Sequence, residues 1–285
     1  GIVNEIASAG DPGRAIPIIN RAAPENPADP QLMQLQWRVL SAARDYKGAI
    51  RVGEAMIQAD TALATAQYFT RMAGLYVADS QPQTSAEILA RGLQKFPNDM
   101  DLRLGYAQQL RAAGQNQQAI AALAGLPPAT PRRNMLLAQT YIEMQQPDSA
   151  LAALRAARAV DSASMVGPYA LSEGNKIYRA ANVSKNKADM QRAHAFIALA
   201  DSLSPSENSK LLMGITAFTI GQMAATEAGK SKSCPLAREA QEAFVTAQIN
   251  LPMGASVAKE AVTQYMQYLQ QFTPVVDNQV KQFCR

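Results

Sequence analysis

The sequence predicts an all-α chain assembled from repeated antiparallel helix pairs, and three observations carry that prediction. The first is internal similarity. In residues 101–161, Ala107, Leu110, Gly114, Ala119 and Leu123 recur as Ala138, Tyr141, Gln145, Ala150 and Leu154 at the same offsets of 3, 7, 12 and 16. Small residues at 107 and 119 let two antiparallel helices approach closely, Leu110 and Leu123 fill the seam, and Gly114 can take the left-handed conformation that ends a helix. The second is composition: alanine is abundant, β-branched residues are scattered, and no alternating apolar run of strand length stands out. The third is punctuation, because Pro24, Pro27, Pro30, Pro97, Pro127, Pro128, Pro131, Pro205 and Pro252 all fall between units.

Taken in order, residues 1–26 read as a short first pair. Its turn is Ala9–Gly13, and Pro17 is placed in the first turn of the second helix. The run 26–30 (Asn-Pro-Ala-Asp-Pro) starts the next unit. There, 31–44 is amphipathic through Leu32, Leu35, Val39 and Leu40, and 46–59 returns it. Residues 64–78 and 82–96 form a third pair, closed by Phe96-Pro97-Asn98-Asp99. The two self-similar pairs follow, with a Pro-rich joint at 125–132. Beyond Asp161 the register loosens. Residues 162–167 read as a linker, 169–181 as a helix, 184–187 as a lengthened turn and 227–235 as a Gly-, Lys- and Ser-rich insertion. A last helix over 256–271 presents Val257, Val262, Tyr265, Met266 and Leu269 to the core. A shorter helix or tail follows Pro274. The expected organisation is 1–161 as regular repeats, 162–253 as two looser insertion-bearing units, and 254–285 as a capping helix and tail.

The small–Tyr–Ala–Pro pattern resembles the tetratricopeptide repeat, a 34-residue helix-turn-helix unit. Ala73, Tyr76, Leu89 and Pro97 match it, and Ala73 to Ala107 is 34 residues. About seven units in near-register cover residues 1–252. Trp37 departs from the pattern by occupying a small-residue position, so its pair is expected to be splayed or bent. The resemblance implies a right-handed superhelical solenoid with a C-terminal capping helix, and a concave groove lined by the first helices of successive units. By register that groove holds Gln34, Arg38, Gln67, Arg71, Asp101, Gln108, Arg111, Arg132, Gln139 and Ile142. The Lys and Asn positions with which some family members clamp a carboxylate terminus read Gln, Thr, Gly and Leu here, so that clamp is not expected.

The net charge of +4 is dispersed, with no run of five like charges, so nucleic acid is not an expected partner. No apolar run approaches 18 residues, so no membrane span is expected. The recurring methionines, Met56, Met72 and Met135 among them, read as core filling. A lone His194, no Gly-rich phosphate loop and no nucleophile–base pair speak against catalysis, and neither a metal nor a cofactor is expected. Cys234 and Cys284 flank the same terminal unit. Paired, they would tie the tail to the last repeat and imply a periplasmic, cell-surface or extracellular location; two free thiols would imply a cytosolic one. The start at Gly1, inside what reads as a truncated helix, fits either a removed targeting segment or a piece of a longer chain. The expected function is a non-catalytic scaffold for a protein or peptide partner. The alternative is a self-assembling subunit of a filament or surface layer, in which the poorly capped first pair stacks on a neighbouring copy.

Overall fold

The computed structural model of the chain describes residues 12–22, 29–59, 62, 64–160 and 163–284. These residues form fourteen α-helices and one short 3-10 helix, with no strand among them. They fall into two compact units, Gly1–Pro128 and Ala129–Arg285. The first helix expected for the opening pair, and with it the question of whether that end is capped, lies outside the described residues.

In the first unit, α1 (Pro12–Ala22) precedes three helix pairs: α2 (Pro30–Ala42) with α3 (Tyr46–Gln58), α4 (Ala66–Ala78) with α5 (Pro82–Lys95), and α6 (Met100–Ala112) with α7 (Asn116–Ala124). Pro17 lies in the middle of α1 rather than in a first turn, because Pro12 already opens that helix. The starts follow from capping chemistry. Asp29 Oδ1 accepts from Gln31 N at 2.8 Å ahead of Pro30, Asp45 accepts from Gly48 N at 3.0 Å, and Asp99 accepts from Leu102 N at 2.8 Å.

The stops repeat as well. Arg44, Ser80 and Gly114 take positive φ between the helices of successive pairs. In each case two backbone bonds close the end: Arg44 N to Ser41 O with Asp45 N to Leu40 O, Ser80 N to Val77 O with Gln81 N to Tyr76 O, and Gly114 N to Arg111 O with Gln115 N to Leu110 O. This is the Schellman closure, which satisfies carbonyls that the helix end would otherwise orphan.

The core of this unit gathers Leu40, Ala49, Met56, Tyr68, Phe69, Met72, Leu89 and Leu102. Trp37 is buried in the same cluster, and its ring lies 4.7 Å from that of Tyr68. Its bulk is therefore absorbed by the next first helix, while the partner helix α3 buries Gly48, Ala49 and Gly53. Its Nε1 is buried with no hydrogen-bond partner among the described residues. Glu54 joins neighbouring pairs through Tyr76 (3.0 Å) and Arg91 (2.9 Å).

In the second unit, α8 (Pro131–Glu143) pairs with α9 (Pro147–Val160), α10 (Ala163–Ser184) with α11 (Lys187–Leu203), and α12 (Glu207–Ser231) with α13 (Cys234–Asn250). The 3-10 turn Leu251–Gly254 then leads to α14 (Lys259–Phe283). Of the expected linker at 162–167, residues 163–167 are the first part of α10 and residue 162 lies outside the described residues; the expected long turns are tight ones at Lys185 and Lys232, both with positive φ. The additional residues lengthen helices instead. Ala224 and Ala228 are fully buried, so the Gly-, Lys- and Ser-rich stretch continues the packed face of α12. Asn186, Ser206 and Ser233 cap α11, α12 and α13, which fixes where the turns fall.

The helix α14 runs unbroken through Pro274, contrary to a stop there. An interior proline costs about 3 kcal/mol, offset here by burial of Val262, Leu269 and Val276 on one face. Val257, expected on that face, precedes α14 and is about half exposed. The Sγ atoms of Cys284, just past α14, and Cys234, the first residue of α13, stand 2.14 Å apart, at disulfide distance. His194 is half-buried on α11, with Nδ1 2.8 Å from the Thr216 hydroxyl oxygen, and burial holds its pKa below the ordinary value.

Candidate partner-binding faces

In the first unit, α4 lies against α6, both of them first helices of their pairs. Gln34 and Arg38 are four residues apart on α2, and Gln67 and Arg71 repeat that spacing on α4. All four are exposed, as are Asp101 and Gln108 on α6, while Arg111 is half-buried. The α-helical period puts i and i+4 on one face, so α2 and α4 each present a Gln–Arg pair. In the second unit Arg132 is exposed in the first turn of α8, but Gln139 is half-buried. Ile142, expected in the groove, packs instead against the cluster of Met135, Ala138 and Leu154. Met135 and Leu104, which share that register, are core residues.

One concavity of the second unit was not anticipated from the sequence. It is a cleft of about 950 Å³ walled by the C-terminal end of α10, by α12 and by α14. These are the first helices of two pairs and the capping helix that follows them. Its floor is aromatic: Phe218 lies 5.2 Å from Tyr265, 6.1 Å from Tyr268 and 6.4 Å from Phe272. Behind it the Phe218 ring stacks on Phe244 at 5.7 Å, so the floor is held from the core side. Close approach of α12 to α13 makes this arrangement possible, since a Cβ at Gly221 would fall 2.4 Å from Phe244 Cδ1.

Burial pushes the pKa values of Tyr178 on α10 and Tyr265 on α14 up, so both phenols stay protonated in the neutral range. Lys185, Lys187 and Lys230 stand at the rim with Glu227. The sequence did carry one signal of this floor: Tyr265, Tyr268 and Phe272 follow at spacings of three and four, an aromatic stripe along one helix face. Phe218, nearly fifty residues earlier, has no local signature.

Three kinds of comparison bear on the class. In sequence, residues 76–136 match the tetratricopeptide repeat family model. No curated protein matches the chain. In structure, the chain is similar to the C-terminal part of a TPR repeat-containing protein from Cytophaga hutchinsonii, with a TM-score of 0.53 at 11% identity over 88% of this chain and 95% of that one. It is also similar to a TPR repeats protein from Bacteroides fragilis (TM-score 0.43, 14% identity, 73% of this chain and 99% of that one). A third similar structure is YrrB, a TPR protein with an unusual peptide-binding site (TM-score 0.47, 19% identity, 57% of this chain and 85% of that one).

The class is therefore that of helical-repeat solenoids, whose stacked units offer extended surfaces to other proteins. Within it, this chain is a tetratricopeptide-like repeat protein. Among the described residues, no helix is long and apolar enough to cross a membrane.

Proposed function

We propose that the chain is a non-catalytic scaffold that holds a polypeptide partner against the first helices of its pairs, in a compartment outside the cytosol. The observation that carries the reading is the cleft between α10, α12 and α14, an aromatic floor with polar walls. Concave sites of this size that join aromatic surface to polar groups able to fix orientation are a usual shape of binding site. The Gln–Arg pairs on α2 and α4 extend the same use to the first unit. The pairing of Cys234 with Cys284 supports an oxidising location, where a disulfide persists.

The test is a photo-reactive residue introduced at Tyr268, compared with one at Ala152 on the second helix α9, in cells that make the protein natively. The expected outcome is a polypeptide cross-link from position 268 and none from position 152. Equal cross-linking at both positions, or none at either, overturns the reading. Mass measurement of the same native protein with thiol labelling tests the location, since two labelled thiols would place it in a reducing compartment.

A further inference from the structure

We infer that the cleft between α10, α12 and α14 takes a polypeptide segment in which acidic side chains flank one large apolar side chain; this rests on the scaffold reading above and specifies its ligand. Two observations lead there, one for each half of the segment.

The apolar half follows from the floor. Phe218 is buried and fixed from behind by Phe244, while Tyr268 keeps 38% of its surface exposed above it. A rigid aromatic surface that is already ordered and partly open loses little entropy when a side chain settles on it.

The acidic half follows from the rim, where three lysines face one glutamate. That glutamate, Glu227, is engaged by Lys187 at 3.4 Å, and Lys187 also holds Glu239 at 3.1 Å. Lys185 donates to Asn182 Oδ1 at 3.3 Å but forms no ion pair. Lys230, exposed in the last turn of α12, forms none either. Two ammonium groups thus stand at the mouth without a carboxylate among the described residues, and a cleft mouth with an excess of positive charge draws the opposite sign.

Single-stranded nucleic acid would also meet cations and aromatic rings, but it needs successive ring faces along a continuous basic track. Here Tyr265 and Tyr268 stand edge-to-face at 82°, and Phe218 is 4% exposed. The floor therefore offers one anchoring place rather than a row of stacking platforms.

The experiment is fluorescence polarisation of the oxidised full chain with a labelled, acetyl- and amide-capped peptide of sequence Gly-Asp-Glu-Phe-Asp-Glu-Gly. Comparison probes carry Asn and Gln for the acids, Gly for the Phe, or a free C-terminal carboxylate; a ten-nucleotide oligothymidine is the remaining probe. The acidic Phe peptide is expected to bind at least tenfold more tightly than either the neutral or the Phe-less version, and to weaken as salt rises. The double variant Lys185→Glu/Lys230→Glu should lose at least tenfold for the acidic probe alone. Its folding is checked by circular dichroism, and Lys185→Gln/Lys230→Gln serves as the milder second variant.

Equal binding of the neutral peptide, tighter binding of oligothymidine, or binding that requires the free carboxylate each overturns the inference. A polypeptide cross-link from position 268 combined with no preference for acidic probes overturns this ligand while leaving the scaffold intact. Loss of both removes both.

Discussion

Replacing Cys284 with Ser removes the covalent hold on the end of α14, and the size of the effect can be worked from the chain. The two cysteines are separated by 50 positions. In the loop-entropy account a cross-link over that span restricts the unfolded chain by about 4 kcal/mol at 25 °C. Past Leu269 the remaining hold on α14 is thin: Val276 is the one fully buried side chain. It is helped by Gln241 Nε2 to Asp277 Oδ1 at 2.8 Å, by Gln279 Nε2 to the Ala225 carbonyl at 3.1 Å, and by the Lys232 ammonium 5.2 Å from the centre of the Phe283 ring. In a repeat array stability is local, so the loss should concentrate there rather than spread along the chain.

Hydrogen exchange with mass spectrometry is the assay. Amides of residues 270–283 should lose protection by roughly a thousandfold, the equivalent of about 4 kcal/mol. Amides of α8 and α9 should be unchanged. Cys234→Ser and chemical reduction should reproduce the pattern. Unchanged exchange over residues 270–283 in both variants would refute the argument, because the helix would then be held by its packing alone.

Other outcomes follow from single positions. Gly221→Ala should destabilise by about 1–3 kcal/mol through overpacking against Phe244, whereas Gly74→Ala, whose new Cβ meets nothing within 4 Å, should stabilise by about 0.5–1 kcal/mol; denaturant titration of both decides. Asp99→Ala should cost about 1 kcal/mol by removing the N-cap of α6, read in the same titration. Because burial lowers the His194 pKa, the unfolded chain binds a proton that the folded chain refuses. Stability should therefore be complete above the ordinary value of 6.5 and fall as pH drops below it. His194→Asn should flatten that slope, and a slope unchanged by the substitution would count against it. Glu54, hydrogen-bonded to Tyr76, adds to the desolvation that pushes the phenol up to about 12. Spectrophotometric titration should therefore show Tyr76 protonated at pH 10.5, and Glu54→Gln should bring its ionisation down.

What could be read from the sequence was whatever depends on neighbours within one helix pair. The offsets joining Ala107 to Leu123 and Ala138 to Leu154 are short-range, and in the structure both sets are core or seam residues except Gly114 and Gln145, which are the exposed corners between the paired helices. Composition misled where it was taken as punctuation. Gly229, Ser231 and Lys232 suggested an insertion, yet Gly221, Ala224 and Ala228 continue one buried face of α12, a helical period of three and four that was available to be read. The sequence reads Pro274 as a boundary, although burial of Leu269 and Val276 on the surrounding turns carries α14 through it. The cleft could not be read, because it depends on Phe218 meeting residues 265–272, and pairings at that distance leave no periodic trace. Ile142 failed for a related reason: its register suits a groove, while it is half-buried against a cluster drawn from the four helices α8 to α11.

Among the described residues six have positive φ, and each falls between the two helices of a pair: Arg44, Ser80, Gly114, Gln145, Lys185 and Lys232. Only one is glycine. An L-residue in the left-handed region costs roughly 1–2 kcal/mol relative to its preferred backbone. The five others are thus places where the chain sits above its own energetic floor while keeping polar side chains at the corners. An engineer could collect that difference by installing glycine at Arg44, Ser80, Gln145 or Lys232, one corner at a time, leaving Lys185 in place at the rim of the cleft. For natural variation the consequence is the reverse: the corners tolerate exchange of residue type, so the bend of the backbone persists where the letters that mark it have drifted.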